Sequence, residues 1–260
     1  MSRPGTEARG DPLRVTMIRC STLLLEWAGA RWLTDPWFGM HLRGLPCFRR
    51  PGLGPDAVGP LDAALVSHLH PDHFDLRALS VMGPRPLRVL VPPGAIDKLP
   101  ERAGLIWEEL APDSETTSCR ATIHAVPGPH TLPGPEEVNY VLDLPGWGRV
   151  FFGGDARFDG QVLARVGQRF GPIRLALLPV GGTRILGRRT VMGPEDALNA
   201  ALLLDAAVVI PIHEGGIWMS VPPLSLHTGR SHHLVSLFDG LGQRERVVHL
   251  REGETRSFPA

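Results

Sequence analysis

The chain is poor in cysteine, carries no net charge and contains no long apolar run. Cys20, Cys47 and Cys119 are an odd number at wide spacing, with no Cys-x-x-Cys pair. That pattern argues against both a disulfide framework and a thiolate zinc site and favours a reducing compartment. Each cysteine is expected to be a small buried apolar residue. Lys+Arg and Asp+Glu both total 27, so the formal charges cancel. No global field draws such a chain to nucleic acid or to an anionic membrane. No apolar stretch approaches the ~20 residues that span a bilayer, and Met1 to Gly10 lacks the apolar segment of a signal peptide. These absences together predict a cytoplasmic protein with nucleic acid an improbable partner and a homo-oligomer compatible with them.

What is present suits a packed core. A length of 260 residues fits one large domain or two small ones and is ample for a core. The 26 prolines and 30 glycines are spread through the chain, which predicts many tight turns between short elements. Residues 1–12 read as a flexible polar leader and 13–260 as one domain. Thr22 to Trp27 and Arg31 to Asp35 flank Gly29 as a hairpin. The Gly- and Pro-rich stretch 39–60 reads as a long loop of the kind that is often functional. Further strands are predicted at Ala63–Val66, Leu87–Val91, Ala121–Val126, Tyr140–Asp143, Arg149–Phe152, Leu175–Leu178, Ala207–Ile210 and Arg246–Leu250. Helices are predicted at Pro194–Leu204, with Pro194, Glu195 and Asp196 suited to its first turn, and at Ser231–Leu241. Several strands are apolar throughout and need cover on both faces. The pattern therefore predicts a layered α/β sandwich with sheets inside and helices outside.

Polar residues fall at telling places. His68, His130, Asp155 and His213 each follow an apolar strand-like run, where a rigid sheet presents reactive side chains. The segment Ser67-His68-Leu69-His70-Pro71-Asp72-His73 is the densest cluster. His68 and His70 are two apart, so on an extended segment they point the same way. Pro71 disfavours a helical His70 and suits the start of a helix, which would place Asp72 and His73 in its first turn. The pairs His68/His70 and Asp72/His73 are thus expected to serve two cations. Imidazole and carboxylate donors suit a borderline cation such as zinc, with manganese or iron as alternatives.

The motif His68-x-His70-x-Asp72-His73 resembles the signature of the metallo-β-lactamase-fold hydrolases. Asp35, at the end of the first hairpin, resembles that family's opening aspartate. Val126 to His130, Phe152 to Asp155 and Pro211 to His213 resemble its later motifs, and the similarity runs from about residue 15 onward. The resemblance implies a four-layer αββα sandwich with a site at one edge between the sheets. It implies one metal held by His68, His70 and His130, a second held by Asp72, His73 and His213, and Asp155 bridging them. Asp35 would orient a ligand without binding metal. Asp35-Pro36-Trp37-Phe38 and Pro194-Glu195-Asp196-Ala197 further resemble the branch containing ascorbate-6-phosphate lactonase and the N-acyl-phosphatidylethanolamine phospholipase D group. The His-x-His form differs from the flavodiiron branch.

The activity implied is hydrolysis of an ester, lactone or phosphodiester by a hydroxide that two cations hold near neutral pH. Asp72, Asp155 and His213 are the candidate catalytic residues, with Asp72 or Asp155 carrying a proton. The alternatives are a non-catalytic metal-binding member of the fold and an iron or manganese redox enzyme of a biosynthetic pathway. Substrate contacts leave weaker traces. Arg157 suits an anionic substrate or a surface ion pair. Gly181 to Arg184, Trp218 and Met219 are candidate pocket residues or simple packing. His232 and His233 diverge on a helix and are not read as ligands.

Overall fold

The computed structural model describes residues 10–42, 45–47, 50–82, 86–129, 137–214 and 220–260. In chain order the first elements are β1 (Leu13–Arg19), β2 (Thr22–Trp27), β3 (Ala30–Thr34), the short ribbon β4 (His41–Leu42) and β5 (Leu45–Pro46), α1 (Pro55–Val58), β6 (Ala63–Leu65), α2 (Leu76–Leu79), β7 (Leu87–Val91) and β8 (Leu105–Glu109). They continue with β9 (Glu115–Ser118), β10 (Ala121–Pro127), β11 (Val138–Leu144), β12 (Gly148–Phe152), α3 (Gly160–Phe170), β13 (Leu175–Pro179), β14 (Thr183–Ile185) and β15 (Arg188–Arg189). The last are α4 (Pro194–Leu203), β16 (Val208–Ile212), β17 (Ser225–His227), α5 (Ser231–Gly240) and β18 (Thr255–Phe258).

Two mixed sheets form the centre. One runs β18-β1-β2-β3-β6-β7-β8 and the other β16-β13-β12-β11-β10-β9. The alternation of side chains along each strand sorts the apolar residues into three layers. Leu23 and Leu25 of β2 and Leu175 and Leu177 of β13 point between the sheets, where they meet Trp32, Leu65, Tyr140 and Phe152. Leu24, Leu33, Ala64 and Val89 point to the outer face of the first sheet, under Val58 of α1 and Ala78 and Leu79 of α2. Ala176 and Leu178 point to the outer face of the second, under Leu163 and Phe170 of α3, Ala197 and Ala201 of α4, and Leu234 and Phe238 of α5. Strands that are apolar on both faces thus end up covered on both faces, in the expected order helix, sheet, sheet, helix.

Several sequence expectations change. Arg246–Leu250 is not a strand: a 3-10 turn covers Arg244–Arg246, and only Val247 makes an isolated bridge, to Val209. The last strand is β18, which is largely exposed and polar and so gives no apolar signal. Stretch 39–60 is not structureless, since it carries the β4–β5 ribbon and the single turn α1. Pro71 opens a tight turn and no helix; the first helix beyond it is α2, capped by Asp75, whose side chain accepts from Ala78 N. Cys47 is buried as expected, but Cys20 is only partly buried and Cys119 is exposed. Helix α3 left a readable trace: Asp159 accepts from Gln161 N and Val162 N as its N-cap, and Leu163, Val166 and Phe170 follow at helical spacing.

Candidate metal centre

The parallel strands of each sheet end on the same edge, and the polar loops of interest leave from there. In the first sheet β3 and β6 are parallel neighbours. Asp35 follows β3, and its N–H donates to Leu65 O at 2.8 Å. Ser67 to His73 follows β6. In the second sheet β12, β13 and β16 are parallel. Asp155 follows β12, and His213 follows β16. The two edges are tied together by Val138 N donating to Ser67 O (3.1 Å), His213 N to Cys20 O (3.2 Å) and Tyr140 Oη to Val66 O (2.9 Å). Ligands of α/β sheets bind at such carboxyl ends.

Local backbone geometry aims the side chains. His68 and His70 lie past the end of β6 in a segment without regular structure, and His68 Nε2 comes within 2.7 Å of His70 Nδ1. The carbonyl of His70 then accepts from His73 N (2.9 Å) and Phe74 N (3.0 Å). That turn folds His73 back against His68, with ring centroids 4.3 Å apart. Gly154 has φ +51°, and a Cβ there would lie 2.9 Å from Ser67 Cβ. Only glycine lets the β12 exit pack this closely on Ser67 and deliver Asp155 to the cluster. Asp35 (φ 33°) and His213 (φ 48°) also sit in the left-handed region without being glycine. Such strain gathers at functional sites.

Asp35 organises the interior. It is fully buried. Its Oδ1 accepts from Ser67 N (2.7 Å), and its Oδ2 accepts from Ser67 Oγ (2.8 Å) and meets His73 Nδ1 at 2.6 Å. This fixes the His73 ring and leaves Nε2 facing the cluster. There His73 Nε2 lies 3.6 Å from Asp155 Oδ2 and 3.9 Å from Asp72 Oδ2. His213 Nε2 lies 3.8 Å from Asp72 Oδ2 and 3.9 Å from Asp155 Oδ2, while His68 Nε2 lies 3.7 Å from Asp155 Oδ1. Two sets of donor atoms result, His68/His70/Asp155 and Asp72/His73/His213, each with all its atoms within 4.8 Å of one another.

These spacings fit cations. The histidine–aspartate distances of 3.6 to 3.9 Å are too long for hydrogen bonds, yet they approach the ~3.3 Å edge of a tetrahedron built on zinc–nitrogen distances of about 2.0 Å. His73 Nε2, both ring nitrogens of His213 and Asp155 Oδ1 are buried without a hydrogen-bond partner, a costly arrangement unless an ion engages them. The charges of the cluster oppose its burial. Burial works to raise Asp72, but His213 and His73 outweigh it and hold that carboxyl far below the usual range. Asp155 is likewise held well down by His68, His73 and His213 against burial. Burial works to lower His73, but Asp155, Asp35 and Asp72 carry it up to about 9. His68 goes the other way: burial pushes it well down, so its ring stays neutral.

The structure therefore brings together six of the residues singled out in the sequence: His68, His70, Asp72, His73, Asp155 and His213. His130, Trp218 and Met219 lie outside the described residues. Arg157 stands at the surface, 3.9 Å from Asp159. His232 and His233 are exposed on α5. Sequence reasoning missed Glu137. Its buried carboxyl lies 3.6 Å from His68 Nδ1, and burial together with the charge of Asp155 pushes it well above the usual range. Glu137 precedes a strand, whereas the motif residues follow one, so the strand-exit signal could not find it.

Two sheets between helices, with a histidine–aspartate cluster at the strand ends, define the metallo-β-lactamase fold. The chain belongs to the beta-lactamase superfamily: residues 30–213 match the model of the beta-lactamase superfamily domain. An uncharacterised protein of Mycobacterium tuberculosis is 28% identical over 83% of this chain, which spans 62% of that protein. The N-acyl-phosphatidylethanolamine-hydrolyzing phospholipase D 1 of Caenorhabditis elegans is 26% identical over 78% of the chain and 64% of its own length. The chain thus spans less than two thirds of either relative. Among solved structures, the isothiocyanate hydrolase from Delia radicum gut bacteria superposes with a TM-score of 0.73 at 20% identity, covering 95% of this chain and all of that one (100%). Among the described residues no helix is long and apolar enough to cross a membrane.

Proposed function

We propose that His68, His70, His130 and Asp155 hold one divalent cation and Asp72, His73, His213 and Asp155 a second, and that the chain hydrolyses an ester, lactone or phosphodiester of a small molecule. The observation that carries this reading is the placement of Asp155. Its Oδ1 faces His68, and its Oδ2 faces His73 and His213. One carboxylate serving two donor sets is what a bridging ligand requires. Zinc is the first candidate, since imidazole dominates both sets; manganese and iron remain chemically compatible.

Cations bound there supply charge that polarises the scissile group and acidifies a water. The chain's own residues do the rest. Asp35 holds His73 by its Nδ1 and so sets the direction of Nε2. Asp72 Oδ2 stands between His73 and His213, where a carboxylate kept ionised can accept a proton and return it to a leaving group. Glu137, pushed well above the usual carboxylate range by burial, lies beside His68.

The test has two parts. Metal analysis after expression in zinc- or manganese-supplemented medium should give about two equivalents, falling sharply in His68→Ala and Asp155→Ala. A panel of lactones, phosphodiesters, thioesters and β-lactams should then show turnover that the same variants lose. Less than one equivalent in the wild type, or undiminished turnover in His68→Ala, rules the reading out.

A further inference from the structure

A cavity of about 330 Å³ lies beside the cluster, walled in part by Arg19, Trp37, His213, Glu214, His249 and Arg251. Its size is at the small end for ligand sites. The unusual group in its wall is Arg19, only 2% exposed. Arg19 Nη1 donates to Gly39 O at 2.6 Å, and the guanidinium lies 3.8 Å over the Trp37 ring. Its charge also faces the Cys47 thiol. None of the ion pairs among the described residues includes Arg19. Its Nη2 is buried with no hydrogen-bond partner among them.

A buried guanidinium with no counter-charge among the described residues is costly, and a fold gains nothing by keeping one unless something pairs with it. The acidic groups of the wall do not fill that role. Glu214 accepts from Ser231 N at 3.0 Å, at the first turn of α5, and Glu252 is exposed at the rim with Arg251. Arg19 is also tied to the candidate metal centre through the backbone, because the next carbonyl, that of Cys20, accepts from His213 N. An anion held by Arg19 would therefore sit in the same cavity that His213 borders.

We propose that Arg19 binds an oxyanion of the substrate, a carboxylate or phosphate remote from the bond that is cut. The planar fork of arginine suits both anions, and stacking on Trp37 holds it in place for them. This rests on the hydrolase reading and narrows it to small anionic substrates. Arg19 is a specificity residue in that scheme and takes no part in bond breaking.

The test compares a neutral ester, 4-nitrophenyl butyrate, with its anionic counterpart, 4-nitrophenyl hemisuccinate, on the zinc-loaded protein. Wild type should favour the anionic ester in kcat/KM. Arg19→Gln should lower that preference at least tenfold, and Arg19→Lys should restore part of it. Titration with succinate and, separately, with inorganic phosphate should show saturable binding that weakens at least tenfold in Arg19→Gln, and whichever anion binds more tightly identifies the group. Equal kcat/KM for the two esters in wild type, with no anion binding, overturns the inference and leaves the hydrolase reading standing. If neither ester is cleaved, the titrations decide alone: binding lost in Arg19→Gln supports the anion site, and absent binding overturns it. If Arg19→Gln does not fold, Arg19→Lys and the wild-type preference decide.

Discussion

Asp35 acts on the cluster only through another side chain, which makes its contribution separable. Asp35→Asn keeps the shape and removes the charge that meets His73 Nδ1. Zinc affinity should fall about 10- to 100-fold, the usual cost of losing such a partner, as read by competition with a chromogenic chelator. Unchanged affinity would mean that His73 is held by packing alone. A second expectation concerns protons. With His73 carried up to about 9 by its three carboxylates, the ring binds a second proton at pH 7, and a cation needs that Nε2 free. Zinc uptake should therefore release at least about one proton at pH 7. Apparent affinity should fall as pH drops below 9, by about tenfold per unit for each proton displaced. Calorimetry in buffers of different protonation enthalpy counts those protons directly. The donor residues were legible in the sequence because His68, His70, Asp72 and His73 are crowded into one short segment. Glu137 and Arg19 were not, because what distinguishes them is the burial of a charged group, and sequence does not record burial.

At the level of elements, legibility followed apolar content. β6, β7, β13 and β16 are buried almost throughout, so uninterrupted apolar runs announced them. β18 and β15 are largely exposed, and hydrogen bonding to a neighbour defines them; no periodicity marks such strands. The turn at Pro71 shows a different limit. Proline at a first helical position is permissive, but the two bonds accepted by the His70 carbonyl close the segment into a turn, and the next helix waits for the Asp75 cap. Helix α3 is the case where a cap can be weighed. Asp159 accepts from two first-turn N–H groups, so Asp159→Ala should destabilise the protein by about 1 kcal/mol. Urea denaturation would show a lower midpoint at unchanged slope. A loss near zero would mean that packing of Leu163, Val166 and Phe170 holds the helix without its cap.

Across the whole molecule, the donors divide between the sheets. The Ser67–His73 loop belongs to the first sheet, and Asp155 and His213 to the second. A cation engaging both would clamp the layers at that edge, adding stability in proportion to the logarithm of its saturation. Chelation should lower the melting temperature by several degrees. At about 100 times the dissociation constant the linkage is worth about 2.7 kcal/mol, and zinc should restore it. A melting temperature indifferent to chelator would sever the proposed link between the ion and the architecture. The opposite edge of the first sheet is closed differently. β18 pairs with β1 from Leu13↔Phe258 to Thr16↔Thr255, so one of the earliest strands made borders one of the last. While the chain is being synthesised, β1 must stay open on one flank, with unpaired peptide groups facing water, until Thr255–Phe258 arrives. Completion of the first sheet is thereby delayed until after the second sheet's sequence exists. In that interval the exposed flank of β1 is open to pairing with the wrong strand.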